Sequence, residues 1–254
     1  MPFQCQRCKR IQTNFTTRCL FCAGFLTLEK IKDPILILSL DEIETPELKF
    51  FKTPIDENLS SGLPEKTITV IAGLPGAGKS TLALQIANEI LKREDLKILY
   101  ISSEEPPELI KQRAQRVTPE LIYNDDFKIL CETLTEKIKD GITSFLETNP
   151  DSMIILDSIN AVRSGSSLSP PGSPSNITKT LNMLHHLRLK NDFTITQIII
   201  AHANKQRTVA GPLTLQHMVD IVLFFDIEKD GKRTITTLKN RFGPAGIKTS
   251  LQIF

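Results

Sequence analysis

No stretch of this sequence approaches the roughly 18–20 consecutive apolar residues that carry a helix across a bilayer, so nothing in its 254 residues is expected to span a membrane. The opening Met1-Pro2-Phe3-Gln4-Cys5 has no apolar signal core, which points to the cytosol. A strong charge of either sign is missing too: 31 Lys and Arg against 29 Asp and Glu leave a formal +2. Four thiolates around one divalent metal would cancel even that. Global charge therefore does not advertise a nucleic-acid partner, and any such surface must be local. No internal repeat is apparent. What remains, 40% hydrophobic and 24% charged residues, is ordinary for a globular protein and sufficient for one α/β domain with a small appendage.

Cysteine is scarce but clustered. Cys5-x2-Cys8 and Cys19-x2-Cys22 form two knuckles separated by ten residues, and Cys131 stands alone. Four cysteines in a secreted chain would suggest two disulfides. Without a signal peptide, paired knuckles suggest tetrahedral Zn²⁺ on four thiolates, with a redox dithiol as the alternative. Such a site is closed, so it folds its segment and does no chemistry. Residues 1–27, expected to be this zinc finger, are too few to build a core without metal. A tether follows over 28–51, with the apolar run Ile35-Leu36-Ile37-Leu38 among acidic residues, and the main domain occupies 52–254. Cys131 ends the apolar run Phe127–Cys131 and is expected to be a buried strand residue.

The most specific pattern is Gly73-Leu74-Pro75-Gly76-Ala77-Gly78-Lys79-Ser80-Thr81, which satisfies G-x4-G-K-[ST] between a β-branched run and a helical stretch. Strand–loop–helix is the context in which this pattern cradles phosphate. Glycines let successive backbone N–H groups converge on an anion, and the helix N-terminus adds partial positive charge. Lys79 would reach the β- and γ-phosphates of ATP, and Ser80 would hold Mg²⁺. Met153-Ile154-Ile155-Leu156-Asp157-Ser158 is an apolar strand ending in a carboxylate, placing Asp157 to support Mg²⁺. Ser102-Ser103-Glu104-Glu105 ends another strand; Glu104 can orient the water that attacks the γ-phosphate, with helix capping as the plainer reading.

The main domain alternates. Strands are expected at Thr67–Ala72, Lys97–Ser102, Phe127–Cys131, Met153–Asp157, Thr196–Ala201 and Asp220–Phe225. Helices are expected near 80–93, 106–117, 133–147, 175–191 and 212–218. That pattern means a mostly parallel sheet covered by helices on both faces. Lys232–Lys239 and Thr249–Phe254 read as an antiparallel edge. The Ser/Pro/Gly-rich segment Arg163 to Ser175 follows the fourth strand, where function collects in open α/β sheets; a solvated connector is the alternative. Lys239 and Arg241, at i and i+2 in Lys239-Asn240-Arg241-Phe242-Gly243, point the same way on a strand and can clasp one phosphate cluster.

Taken together these residues resemble the bacterial RadA (Sms) family of recombination and repair ATPases, with a RecA-like core and a DnaB-like hexameric motor. The resemblance runs over about nine-tenths of the chain. It passes from the knuckles through the phosphate loop, Leu99 to Glu105, Leu156-Asp157-Ser158-Ile159, Pro171-Gly172-Ser173 and Ala210-Gly211-Pro212 to Asp220, and ends at the signature pentapeptide Lys239–Gly243. It implies that Glu104 polarises water and that His202 senses the γ-phosphate. It implies further that Lys239 and Arg241 reach the nucleotide of the next subunit in a ring. Segments 163–175 and 203–211 match mobile loops lining a DNA channel, making Arg163, Lys205 and Arg207 phosphate contacts. The implied activity is an Mg-ATP-driven helicase or branch-migration motor on single-stranded or branched DNA, acting with RecA. Three features depart from the family. The sequence ends shortly after the pentapeptide, before a Lon-protease-like domain; Ala201 stands where Gly is usual; and no tryptophan precedes the third cysteine. A non-motor, KaiC-like regulatory module is the competing expectation.

Overall fold

The structure, a computed structural model, describes residues 3–12, 16–30, 47–189, 193–203 and 217–251. The chain divides into two compact units, Met1–Glu47 and Leu48–Phe254. In the smaller one, β1 (Phe3–Cys5) lies between β2 (Ile11–Gln12) and β3 (Leu28–Lys30), antiparallel to both. Pairing thus runs through Lys30, beyond the expected finger boundary at 27. Among the described residues its buried apolar cluster is Cys5, Cys19 and Leu28, little burial to set against the entropy of ordering them.

In the larger unit, β4 (Phe50–Phe51) pairs with β5 (Leu63–Pro64) around the short helix α1 (Asp56–Leu59). There follow β6 (Ile68–Gly73), α2 (Lys79–Leu91), β7 (Lys97–Ser102), α3 (Pro107–Val117) and β8 (Phe127–Cys131). Next come α4 (Thr135–Thr148), β9 (Asp151–Asp157), α5 (Pro174–Arg188) and β10 (Thr194–His202). The described elements end with β11 (Ile221–Ile227), β12 (Arg233–Asn240) and β13 (Lys248–Leu251). The strands make one eight-stranded sheet in the order β13-β12-β11-β6-β10-β9-β7-β8, parallel from β11 to β8 and antiparallel over β11, β12 and β13. The parallel sheet and its antiparallel edge are those expected from the sequence, with strand and helix ends displaced by at most about three residues. The helix expected near 212–218 falls almost wholly outside the described residues, as do 252–254 of the last strand.

Two cores explain why the strands read as unbroken apolar runs. Side chains alternate across a pleated strand, so Met153 and Ile155 join one cluster with α2 residues Leu82 and Ile86. Ile154 and Leu156 join the other with Ile138 of α4 and Leu181 of α5. Helix α5 starts where Ser173 caps the Asn176 N–H and Pro174 occupies the first turn. Cys131 corrects its sequence reading: it is exposed, because β8 is the edge strand of the sheet and is only partly covered along its length. Among the described residues, β6 has β10 on one side and β11 on the other. The chain crosses from β6 to β7 in one direction and from β10 to β11 in the other, so a switch point opens at the carboxyl end of β6.

Gly73, the last residue of β6, sits so close to β11 that a Cβ there would meet the Phe225 carbonyl oxygen at 2.2 Å. Gly73→Ala must therefore separate two central strands. It is expected to destabilise the larger unit by about 1–3 kcal/mol, read as a lower denaturant midpoint at unchanged slope.

Candidate nucleotide and metal sites

Strand register gathers the site. Gly73 pairs with His202, and Ser102 with Asp157. The ends of four parallel strands thus form one row, from which Glu104 and the phosphate loop project. Gly76 and Gly78 hold φ of +77° and +105°, which only glycine adopts without strain. Helix α2 starts with no capping side chain and no acidic residue in its first turn, so its N–H groups are left for an anion. Beside it lies a cavity of about 330 Å³. Its walls are Pro75, Gly76, Gly78, Lys79, Ser80 and Thr81 of the loop, then Glu104, Glu105 and Arg113, then Asp157, Ile200 and His202.

The polar groups of the cavity hold one another. Lys79 Nζ donates to the Gly73 and Leu74 carbonyls at 3.0 and 2.9 Å, and burial lowers its pKa. Asp157 accepts from the Tyr100 hydroxyl and from the Ser80 side chain. Burial raises its pKa, while Tyr100, buried beside it, titrates well above 10 and remains a donor. Glu104 Oε1 lies 3.2 Å from His202 Nε2 and accepts from the Ser158 hydroxyl. The His202 hydrogen bond is the foremost cause holding Glu104 below the usual carboxylate range, so it is ionised near neutrality. His202 is fixed in turn by its own N–H on Asn160 Oδ1 at 2.7 Å. Glu105 points elsewhere, into an ion pair with Arg113 at 2.6 Å. Of the two glutamates, Glu104 alone meets both Ser158 and His202.

The loop, Glu104, Asp157 and His202 are thus brought together. Lys239 and Arg241 are not: they sit at the other end of the sheet. Asn240 pairs with Ile221, and Ile221 with Thr69, so Arg241 is separated from Gly73 by about 15 Å of strand. Arg163 is exposed, its backbone tied to Thr133 and Thr135 at 2.9 Å. The loop after it is not loose: Glu136 accepts from Gly165 N and Ser164 Oγ, and Asn176 bonds Ser164, Ser169 and Pro170. Lys205 and Arg207 lie outside the described residues. His185 is half-buried and His186 exposed, and among the described residues neither belongs to a group that could hold a metal. Sequence reasoning missed Tyr100 and Arg113. Tyr100 passes for core in its strand, and the Glu105–Arg113 pair spans a loop and a helix.

The donor set fits its implied ligands. ATP and Mg²⁺ match a loop of converging N–H groups with Lys79, and a hydroxyl–carboxylate pair in Ser80 and Asp157. In the smaller unit the Sγ atoms of Cys5, Cys8, Cys19 and Cys22 all lie within 4.8 Å of one another. Cys5–Cys22 and Cys8–Cys19 are 3.6 and 3.7 Å apart. A tetrahedron of thiolates at about 2.3 Å from a metal has edges of about 3.8 Å, whereas a disulfide would need about 2.05 Å. The four cysteines therefore form a cluster able to hold a metal.

A protein-family model described as "ATPase: KaiC" matches residues 51–250. The chain belongs to the KaiC family of ATPases. Among curated relatives it is similar to "DNA repair protein RadA" of Campylobacter jejuni, 32% identical over 95% of this chain and 56% of that protein. Against the protein of the same name from Bacillus subtilis it is 34% identical over 85% of this chain and 45% of the other. The Aquifex aeolicus protein of that name is 31% identical over 96% and 56%. The chain spans about half the length of these relatives. A KaiC-like protein from Pyrococcus horikoshii has the same fold, with a TM-score of 0.68 at 17% identity over 82% of this chain and 96% of that one. The larger unit of this family member is thus a RecA-like, KaiC-type ATPase core.

Two measurements follow. Thiol titration of metal-loaded protein should find one reactive group, the exposed Cys131, and five after chelation; Cys131→Ser should remove the first without changing metal content. Glu104→Gln should lower the turnover number by about 10²–10⁴-fold with nucleotide-analogue affinity retained, while Glu105→Gln, acting only through Arg113, should cost far less.

Proposed function

We propose that this chain hydrolyses Mg-ATP at interfaces between copies of itself and uses the cycle to move single-stranded or branched DNA in recombinational repair. One observation carries the reading. Each copy has the phosphate loop and Glu104 at one end of the sheet, and its pentapeptide cations at the other. Those cations cannot reach their own phosphate loop. A closed head-to-tail ring, hexameric by analogy with DnaB-like motors, gives each cradle the cations of the next copy.

In this reading Lys79 and the N–H groups of Gly76 to Ser80 bind the β- and γ-phosphates. Ser80 and Asp157 hold Mg²⁺, which supplies charge neutralisation across the phosphates when bound. Glu104, already ionised, aligns water in line with the γ-phosphorus. Lys239 and Arg241 of the next copy counter the negative charge that builds up on the transferred phosphoryl group. His202 links Glu104 to the segment that follows β10, a route by which the state of the γ-phosphate would reach DNA held by Arg163, Lys205 and Arg207. The four cysteines hold Zn²⁺ and keep the finger folded. The relatives' printed name, DNA repair protein, supports the DNA role; RecA is the partner that the resemblance implies. The family model and the Pyrococcus horikoshii neighbour favour, as a second reading, a KaiC-like module that uses nucleotide state only to control assembly. Branch migration assayed with and without ATP separates the two.

Arg241→Ala should lower DNA-stimulated turnover by about 10³-fold or more while leaving analogue binding intact. Wild-type turnover by an Arg241→Ala protein that sediments as a monomer removes the cross-subunit role.

A further inference from the structure

The pentapeptide cations are not loose ends. Asp220, its side chain only 5% exposed, spends both carboxylate oxygens on fixing their surroundings. Oδ1 accepts from Arg241 Nη1 at 2.9 Å. Oδ2 accepts from the backbone N–H of Ile68 at 2.8 Å and from Arg188 Nη1. Arg241 Nη2 donates to the His217 carbonyl at 3.2 Å, and its N–H to the Asp220 carbonyl at the same distance. Lys239 Nζ donates to the Val219 carbonyl at 2.6 Å. His217, Val219 and Asp220 therefore hold both cations, and Ile68 and Arg188 brace Asp220 against β6 and the end of α5.

We propose that Asp220 is a positioning residue for the phosphoryl-transfer reaction. It pre-arranges Arg241 and Lys239 in each free copy as a rigid cationic pair for the neighbour's phosphates. This rests on the cross-subunit reading above. Two points favour positioning over a purely structural ion pair. Two guanidiniums, Arg188 and Arg241, both permanently charged, face the one Asp220 carboxylate, so its charge is more than matched and the group suits an anion. Arg241 remains half exposed (50%) although both its Nη groups are bonded, so a phosphate can approach the guanidinium without first breaking the Asp220 bond. A guanidinium held in advance loses little rotamer freedom when the rings close, whereas a free arginine side chain would lose most of its own. Because Asp220 never touches nucleotide, its loss should leave ground-state binding alone and act on turnover.

The test is complementation in mixed rings. A Lys79→Ala copy offers intact cations but cannot turn over its own nucleotide. An Asp220→Asn copy keeps an intact cradle but misplaces its cations. Asp220→Asn alone should lose about tenfold or more in turnover with fluorescent-analogue affinity unchanged within about twofold. Mixed one to one with Lys79→Ala, it should recover to about a quarter of wild-type turnover, the share of interfaces that pair a sound cradle with sound cations. A parallel mixture of Arg241→Ala with Lys79→Ala tests the cross-subunit reading itself. Should that mixture stay silent, the cross-subunit reading fails. Should it recover while the Asp220→Asn mixture does not, or should Asp220→Asn turn over normally alone, the positioning role is overturned. If Asp220→Asn no longer binds analogue, Arg188→Gln decides instead, since it removes the brace and leaves the Asp220–Arg241 pair. A several-fold fall in kcat at constant KM supports the proposal, and an unchanged kcat overturns it.

Discussion

Burial on both faces of a parallel sheet is the constraint from which the rest follows. Six strands packed between two helical layers leave most charged side chains the two ends of the sheet. The carboxyl end carries the phosphate loop, Glu104, Asp157 and His202, because parallel strands deliver their connecting loops on one side. The amino end carries Asp220, Arg188 and the pentapeptide cations, because β12 runs back antiparallel to β11. Cradle and counter-charge are thus separated by the length of a strand through topology alone. Any chemistry that needs both has to bring two copies together.

Low dielectric sharpens the carboxyl end. Lys79, Asp157 and Tyr100 are all shifted by burial, and Glu104 is the member held by explicit donors instead. Two neighbouring glutamates are thereby given different work. Glu104 is turned toward Ser158 and His202, while Glu105 is neutralised by Arg113. The side chains are identical and one residue apart; only their partners differ.

Much of this is legible in the sequence alone. Period and punctuation located the strands, because a buried parallel strand must be apolar throughout and must end where a loop starts. Lys97–Ser102 and Phe127–Cys131 match the observed elements residue for residue. Cys131 was misread because an apolar run reveals a strand but not its place in the sheet, and an edge position exposes what a central one would bury. The tie between Tyr100 and Asp157 and the hold of Asp220 on Arg241 join residues far apart in sequence; no local pattern encodes them. In the smaller unit the spacing of the knuckles named the four cysteines that the structure gathers into one cluster. The extra pairing of β3 was invisible, since three residues carry too little periodicity to read.

The edge position of β8 has a consequence for solubility. Its outer side presents backbone donors and acceptors that no described strand pairs, and such a border is a template on which foreign strands add and fibrils begin. The border is short, five residues. At its second residue stands Lys128, whose side chain is 57% exposed and whose ammonium leans toward Asp125. Desolvating that ammonium opposes the stacking of a second sheet margin, so a single lysine guards the flank of the parallel array that no described strand extends.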